Sequence, residues 1–354
     1  MTTPGITSSV TYDLLTDPTW NATTPVGVVP SPRIALIRLV RTVVIFCALL
    51  TIMISMGCSI TVADLKKGIR QPLSALIGML CQFVILPLTG FCMSLAFSLP
   101  TPYALSVLIV SCSPGGNISS VFTYWTNGDV CLSVCMTAVS TLAAIGMMPL
   151  NLLIYSRRWT DKKAVIPFIN IIIGLVAIII PVIIGMIIRW KKEKWTKPIS
   201  LVGTIIGIIL LITSVVLDYI AVPTLFDASW RLWLSAGLVP PIGFLVGYII
   251  SFISRRTPQH CRTIAFETGC QNVVLALALI KLTFRGDFQL QAEMIKFPSM
   301  YAMFMVIYAV CFITTFRLYV RRKTESDYEF TAIKMDKKVE DKEGSVEDGE
   351  EKIK

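Results

Sequence analysis

Charge is scarce in this chain. Only 15% of its 354 residues are Asp, Glu, Lys or Arg, 54% are hydrophobic and the mean hydropathy is +0.71. A soluble domain carries about 25% charged residues, so this composition excludes one and places most of the length in lipid. Histidine is scarcer still. His260 is the only one, which argues against a zinc or haem centre. No G-x-x-x-x-G-K-[ST] stretch occurs, so nothing marks a nucleotide as the energy source. Residues 1–33 are rich in Thr, Ser and Pro and lack an apolar core like that of a signal peptide. No cysteine falls in the first forty residues, and most of the ten lie inside apolar runs (Cys47, Cys81, Cys92, Cys112, Cys135, Cys311). They read as small buried hydrophobes, not as a disulfide framework.

The positive balance excludes less than it first promises. The net charge is +10, but residues 324–354 hold 11 acids and 6 bases, leaving +15 for the rest. That excess sits in short loops beside apolar runs. It reads as membrane topology, with no nucleic-acid partner implied.

Apolar runs fall at about 34–60, 72–98, 102–126, 130–155, 164–188, 199–221, 231–253, 262–282 and 294–320. Each has bilayer length, so the expected fold is an all-α multispan membrane protein of about nine transmembrane helices. The expected organisation is an extracellular N-terminal segment 1–33, a nine-span transporter domain 34–320, and a disordered cytoplasmic tail 321–354. With the N-terminus outside, the basic loops around Lys66, Lys67 and Arg70, around Arg189 to Lys197, and around Arg255, Arg256 and Arg262 face the cytoplasm. The loop 156–163, with Arg157, Arg158, Lys162 and Lys163, is the one violation. Asn21-Ala22-Thr23 is then a glycosylation acceptor on the outer side.

Three polar islands interrupt the runs. "SCSPGGNISS", 111–120, cannot continue a regular helix: proline removes a donor and each glycine costs about 1 kcal/mol. It is either a simple kink or a broken helix facing a cavity, and the adjacent Asn117, Ser119 and Ser120 favour a site. "FETGCQN", 266–272, puts a carboxylate in the eighth run, where a charge costs roughly 2.5–3.5 kcal/mol at the bilayer centre. The nearest bases, Arg262 and Lys281, stand at the ends of the run. Glu267 is therefore either a core or interfacial structural residue, or one whose partner is not a side chain. The third island is looser: Gln82 in the second run, with Ser133, Thr137, Ser140 and Thr141 in the fourth. Ser133 and Thr137 share a helix face, although single hydroxyls in spans mostly bond back to their own helix. Two broken spans five apart in order point to inverted repeats with two crossing discontinuous helices, the secondary-transporter arrangement. Sodium wants hard oxygen ligands, and Glu267 with Ser119, Ser133 and Thr137 supplies them; a proton would neutralise the same carboxylate.

The stretches "CQFVILPLTGF", "CSPGGNISSVF", "NGDVCLSVCMT", "STLAAIGMMPLNLLIYS" and "CRTIAFETGCQN" closely resemble the sodium/bile acid cotransporter family, from about Val43 to Arg317. That family includes the liver and ileal bile acid carriers and a steroid sulfate carrier. The resemblance implies a panel domain (spans 1, 5 and 6) and a core domain (spans 2–4 and 7–9). It implies a first sodium site at Ser119, Ser120, Ser133, Thr137 and Glu267. A second is implied at Gln82, Gln271 and Glu267, with backbone oxygens of Thr268 and Cys270. Asn117 and Asn272 are implied beside the substrate. Ser120 departs from the family, which usually has asparagine there. The function so implied is sodium-coupled symport of amphipathic organic anions, bile salts or sulfated steroids, by alternating access at the plasma membrane. No enzyme activity is implied, nor a cofactor, a metal other than the coupling sodium, or an oligomeric state. The alternatives are an uncoupled or orphan carrier of the same family with another organic anion, favoured by Ser120, and a multispan receptor, which two broken helices and short loops oppose.

Overall fold

A computed structural model describes residues 32–59, 72–159, 168–284 and 287–351. Every regular element among them is a helix. The first run forms α1 (Pro32–Ser59). The second forms α2 (Pro72–Leu80), a π-helical turn (Cys81–Ile85) and α3 (Leu86–Ala96). The third is broken into α4 (Thr101–Ser111) and α5 (Ile118–Trp125). Then come α6 (Val130–Ser156), α7 (Phe168–Lys191), α8 (Glu193–Ala221) and α9 (Trp230–Ile253). The eighth run is broken into α10 (Pro258–Gly269) and α11 (Val273–Thr283). A short α12 (Phe288–Met294) leads into α13 (Lys296–Glu351). All nine apolar runs therefore have helical counterparts among the described residues.

Local chemistry explains the boundaries. Asp129 caps α6 by accepting from the Leu132 amide at 3.0 Å, and Asp287 caps α12 through Leu290 at 2.9 Å. The eighth run starts earlier than its apolar pattern predicts. Thr257 is the N-cap and Pro258 the first helical residue, a pair that starts a helix although Gln259 and His260 are polar. The last helix runs on to Glu351, through residues whose composition predicts disorder. That stretch has no proline, and Lys and Glu are good helix formers, so no strong breaker stops propagation from the apolar segment. Asp218, near the end of the sixth apolar run, lies inside α8 and is fully buried.

Two groupings organise the molecule. The long helix α1 packs on α7 and α8, and α9 packs on α10 and α13. Close approach in the first group depends on Gly57 and Gly185. A Cβ on either would strike the backbone of the facing helix, as expected where small residues let membrane helices touch. Much of α8 faces outward, with Leu201, Ile205, Ile209, Ile212 and Val216 exposed. Two of the half-helices are the opposite. Ala104 to Ser111 and Val273 to Lys281 are buried without interruption, so α4 and α11 run through the interior with no lipid face.

Candidate functional site

The two breaks lie against each other at the centre of this interior. The Gly116 amide donates to the Cys270 carbonyl at 2.7 Å, and the Asn272 amide donates to the Pro114 carbonyl at 3.0 Å. Gly115 and Gln271 form an isolated antiparallel bridge. Breaking a helix in lipid exposes amides and carbonyls that find no water. Here each break satisfies groups freed by the other. This is why Pro114-Gly115-Gly116 and Gly269-Cys270-Gln271 occur at membrane depth at all. Four helix ends consequently converge: the C-termini of α4 and α10, and the N-termini of α5 and α11.

Glu267 sits on the last turn of α10 and is 2% exposed. Its Oε2 accepts from the Ser119 hydroxyl at 2.6 Å and the Ser133 hydroxyl at 3.1 Å, and its Oε1 accepts from the Thr137 hydroxyl. Ser133 and Thr137 come from successive turns of one face of α6, and Ser119 from the first turn of α5. Among the described residues no cationic side chain pairs with Glu267. Arg262 instead donates to the Asn127 carbonyl at 2.8 Å and lies over the Phe316 ring. Lys281 pairs with Asp218 at 2.8 Å. The two bases that flank the run in sequence are thus both engaged elsewhere. Ser120 does not reach Glu267; its hydroxyl meets that of Ser133 at 3.0 Å.

A second polar set gathers around Gln82 and Gln271. Gln82 Nε2 donates to the Ser113 carbonyl and to Gln271 Oε1, both at 2.7 Å, and Gln271 Nε2 donates to the Thr268 carbonyl at 2.8 Å. Gln82 stands in the π-helical turn, a device that re-aims a side chain at functional sites. The turn loosens the backbone ladder, and Asn151 of α6 donates to the Phe83 carbonyl at 2.8 Å. The carbonyls of Thr268 and Cys270 each accept one bond, and a carbonyl has two lone pairs. No hydrogen bond joins Glu267 to this second set.

Asn117 and Asn272 stand at the starts of α5 and α11. Asn117 Nδ2 donates to the Ile52 carbonyl of α1 at 3.1 Å. Asn272 Oδ1 caps its own helix through the Leu275 amide at 3.1 Å, while its buried Nδ2 finds no hydrogen-bond partner among the described residues. Asn21 lies outside the described residues.

Three supporting residues escape a reading of the sequence. Gly115 is one: a Cβ there would collide with the Glu267 carboxylate. Tyr301 donates to the Gly269 carbonyl at 2.9 Å, holding the second break from α13, and Asn151 serves the π-helical turn. A polar atom inside an apolar run is the only sequence signal the last two give, and it does not name the partner.

The sequence matches the model of the Sodium Bile acid symporter family over residues 46–223. It is 37% identical over 305 residues to the ileal sodium/bile acid cotransporter of Oryctolagus cuniculus, covering 85% of this chain and 86% of that protein. It is 38% identical over 283 residues to the ileal sodium/bile acid cotransporter of Homo sapiens, covering 78% of this chain and 80% of that one. It is 35% identical over 287 residues to the sodium-dependent organic anion transporter of Homo sapiens, covering 81% and 76%.

Proposed function

This chain belongs to the Sodium Bile acid symporter family, and from that membership we propose that it is a sodium-driven symporter of amphipathic organic anions, bile salts or sulfated steroids, working by alternating access. The observation that carries the reading is Glu267. It is a buried carboxylate with hydroxyl donors and no cationic partner among the described residues, in a segment where an uncompensated charge is costly. Sodium is the partner its oxygen-rich surroundings fit. The first ion takes Glu267, Ser119, Ser133 and Thr137, with Ser120 in contact through Ser133. The second takes Gln82, Gln271 and Glu267, shared with the first, and the second lone pairs of the Thr268 and Cys270 carbonyls, at the C-terminal end of α10, where the helix dipole favours a cation. The anionic end of the substrate goes to the opposite kind of helix end, the N-termini of α5 and α11, where Asn117 and Asn272 carry amide donors.

Two ions per monovalent anion move one net positive charge inward. A tenfold sodium gradient supplies about 1.4 kcal/mol per ion and 100 mV about 2.3 kcal/mol per charge. Together these give about 5 kcal/mol, enough for more than a thousandfold accumulation, where one ion gives about 1.4 kcal/mol and no electrical drive. In this reading α1, α7 and α8 form the panel, and α2–α6 with α9–α13 the core. The excess of basic residues in the loops after α7 and α9 supports an external N-terminus and a cytoplasmic C-terminus, and the proposed uptake calls for the plasma membrane.

The test is uptake of labelled taurocholate and of a steroid sulfate by cells expressing the chain, with external sodium or with choline. Saturable uptake in sodium and background in choline is the expected result. Equal uptake in both selects the uncoupled carrier, the alternative that Ser120 raises by offering a short hydroxyl where the family has a carboxamide. No uptake of either anion overturns the substrate class.

A further inference from the structure

A second buried charged cluster lies away from the crossing. Asp218 of α8 is 0% exposed and is held between two cations: Arg41 of α1 at 3.3 Å and Lys281 of α11 at 2.8 Å. Lys281 also donates to Ser214 of α8 at 3.2 Å. Arg41 donates to Gln291 of α12 and lies over the Phe288 ring, while Gln291 donates back to the Lys281 carbonyl at 3.1 Å. Two of the four helices, α1 and α8, belong to the group that packs around α1; the other two continue from the broken helix.

We propose that this cluster is the gate that closes the substrate path at the bundle end opposite Arg189, Arg255 and Arg256, the extracellular end, and that it opens when the panel parts from the core. The proposal rests on the alternating-access reading above.

The contacts divide as a gate requires. The Arg41–Asp218 pair lies within the panel and survives separation. The Lys281–Asp218 and Lys281–Ser214 contacts and the Arg41–Gln291 contact cross between the groups and must break. Their chemistry suits repeated breaking. A buried ion pair loses in desolvation much of what it gains in attraction, so water entering an opening crevice restores what the parted charges lose. An apolar seam has no such compensation and resists opening in proportion to its area. The gate is also mechanically joined to the ion site. Asn272 starts α11 at the crossing and Lys281 stands in its last turn, about 13 Å along one uninterrupted helix. An ion pulling on the Cys270–Gln271 segment therefore pulls on Lys281 through a single rigid element.

A reporter position exists between gate and crossing. Arg41, Ile45, Ala48 and Ile52 lie along one buried face of α1, and the Ile52 carbonyl meets Asn117. Ala48 is 0% exposed. Intact cells carrying Ala48→Cys are treated with a membrane-impermeant methanethiosulfonate, and labelling is compared with the same proteins retaining Ala48. Adding Lys281→Met, which leaves Arg41 paired with Asp218, should speed external labelling of Cys at 48 about tenfold, as expected when a minor open state gains population. Asp218→Asn should do the same. Unchanged labelling in variants present at the cell surface makes the cluster a structural one and overturns the proposal. Failure of both variants to reach the surface assigns it to folding and overturns it equally. Sodium-dependent uptake by Ala48→Cys alone is measured in parallel. Its absence strikes the symport reading, while the labelling comparison still decides the gate.

Discussion

Glu267 carries a carboxylate within an apolar run, where a charge needs a partner. The donors within its reach are the hydroxyls of Ser119, Ser133 and Thr137, from elements more than a hundred residues away. Glu267→Gln keeps the shape and removes the charge. The three hydroxyls can rotate to accept from the new amide, so the fold should tolerate it and surface expression should stay near wild type. Sodium-driven uptake should fall to background. Glu267→Asp should be partly active at best, since the shorter arm withdraws both oxygens from the hydroxyl cluster. Surface biotinylation with parallel uptake separates the two effects. A well-expressed Gln variant that still concentrates substrate only in sodium makes Glu267 structural.

At the scale of the element, the determining feature is the pair of broken helices. The breaks are legible in Pro114-Gly115-Gly116 and in Thr268-Gly269. Their mutual satisfaction, Gly116 to Cys270 and Pro114 to Asn272, is not, because local pattern carries no information about which distant segment accepts a hydrogen bond. The role of Gly115 emerges only there. Gly115→Ala places a methyl group against the Glu267 carboxylate, overpacking of a kind that costs about 1–3 kcal/mol. It should raise the sodium concentration for half-maximal uptake and lower the maximal rate. Gly146→Ala in α6 is the control. Beyond its own helical turn no atom of the described residues lies within 4 Å of a Cβ there, and alanine is the better helix former by about 1 kcal/mol, so uptake should be retained. Equal behaviour of the two variants removes the packing argument.

The whole molecule has an orientation as well as a fold. Arg189 and Lys191 at the end of α7 and Arg255 and Arg256 after α9 mark one end of the bundle, and the loop joining α8 to α9 marks the other. The basic end should be cytoplasmic. A glycosidase should then shift the gel mobility of the wild-type protein but not that of Asn21→Gln. No shift, in cells that glycosylate a control protein, removes the main independent support for an external N-terminus.

Local pattern sets the class: a helical membrane protein of nine apolar runs, two of them broken, with the Glu267 carboxylate inside one of those two and a family resemblance carried by long motifs. These are local properties. Hydropathy, helix period and breaker residues act within a turn or two of chain, and a span announces itself by its own composition. Which residues meet depends on the packing of the helices. That packing brought Gln82 to Gln271 across 189 positions, turned Ser120 toward Ser133 and away from Glu267, and buried Asp218 between Arg41 and Lys281. Such contacts depend on how helices pack, and a polar side chain's want of a partner says only that one must exist.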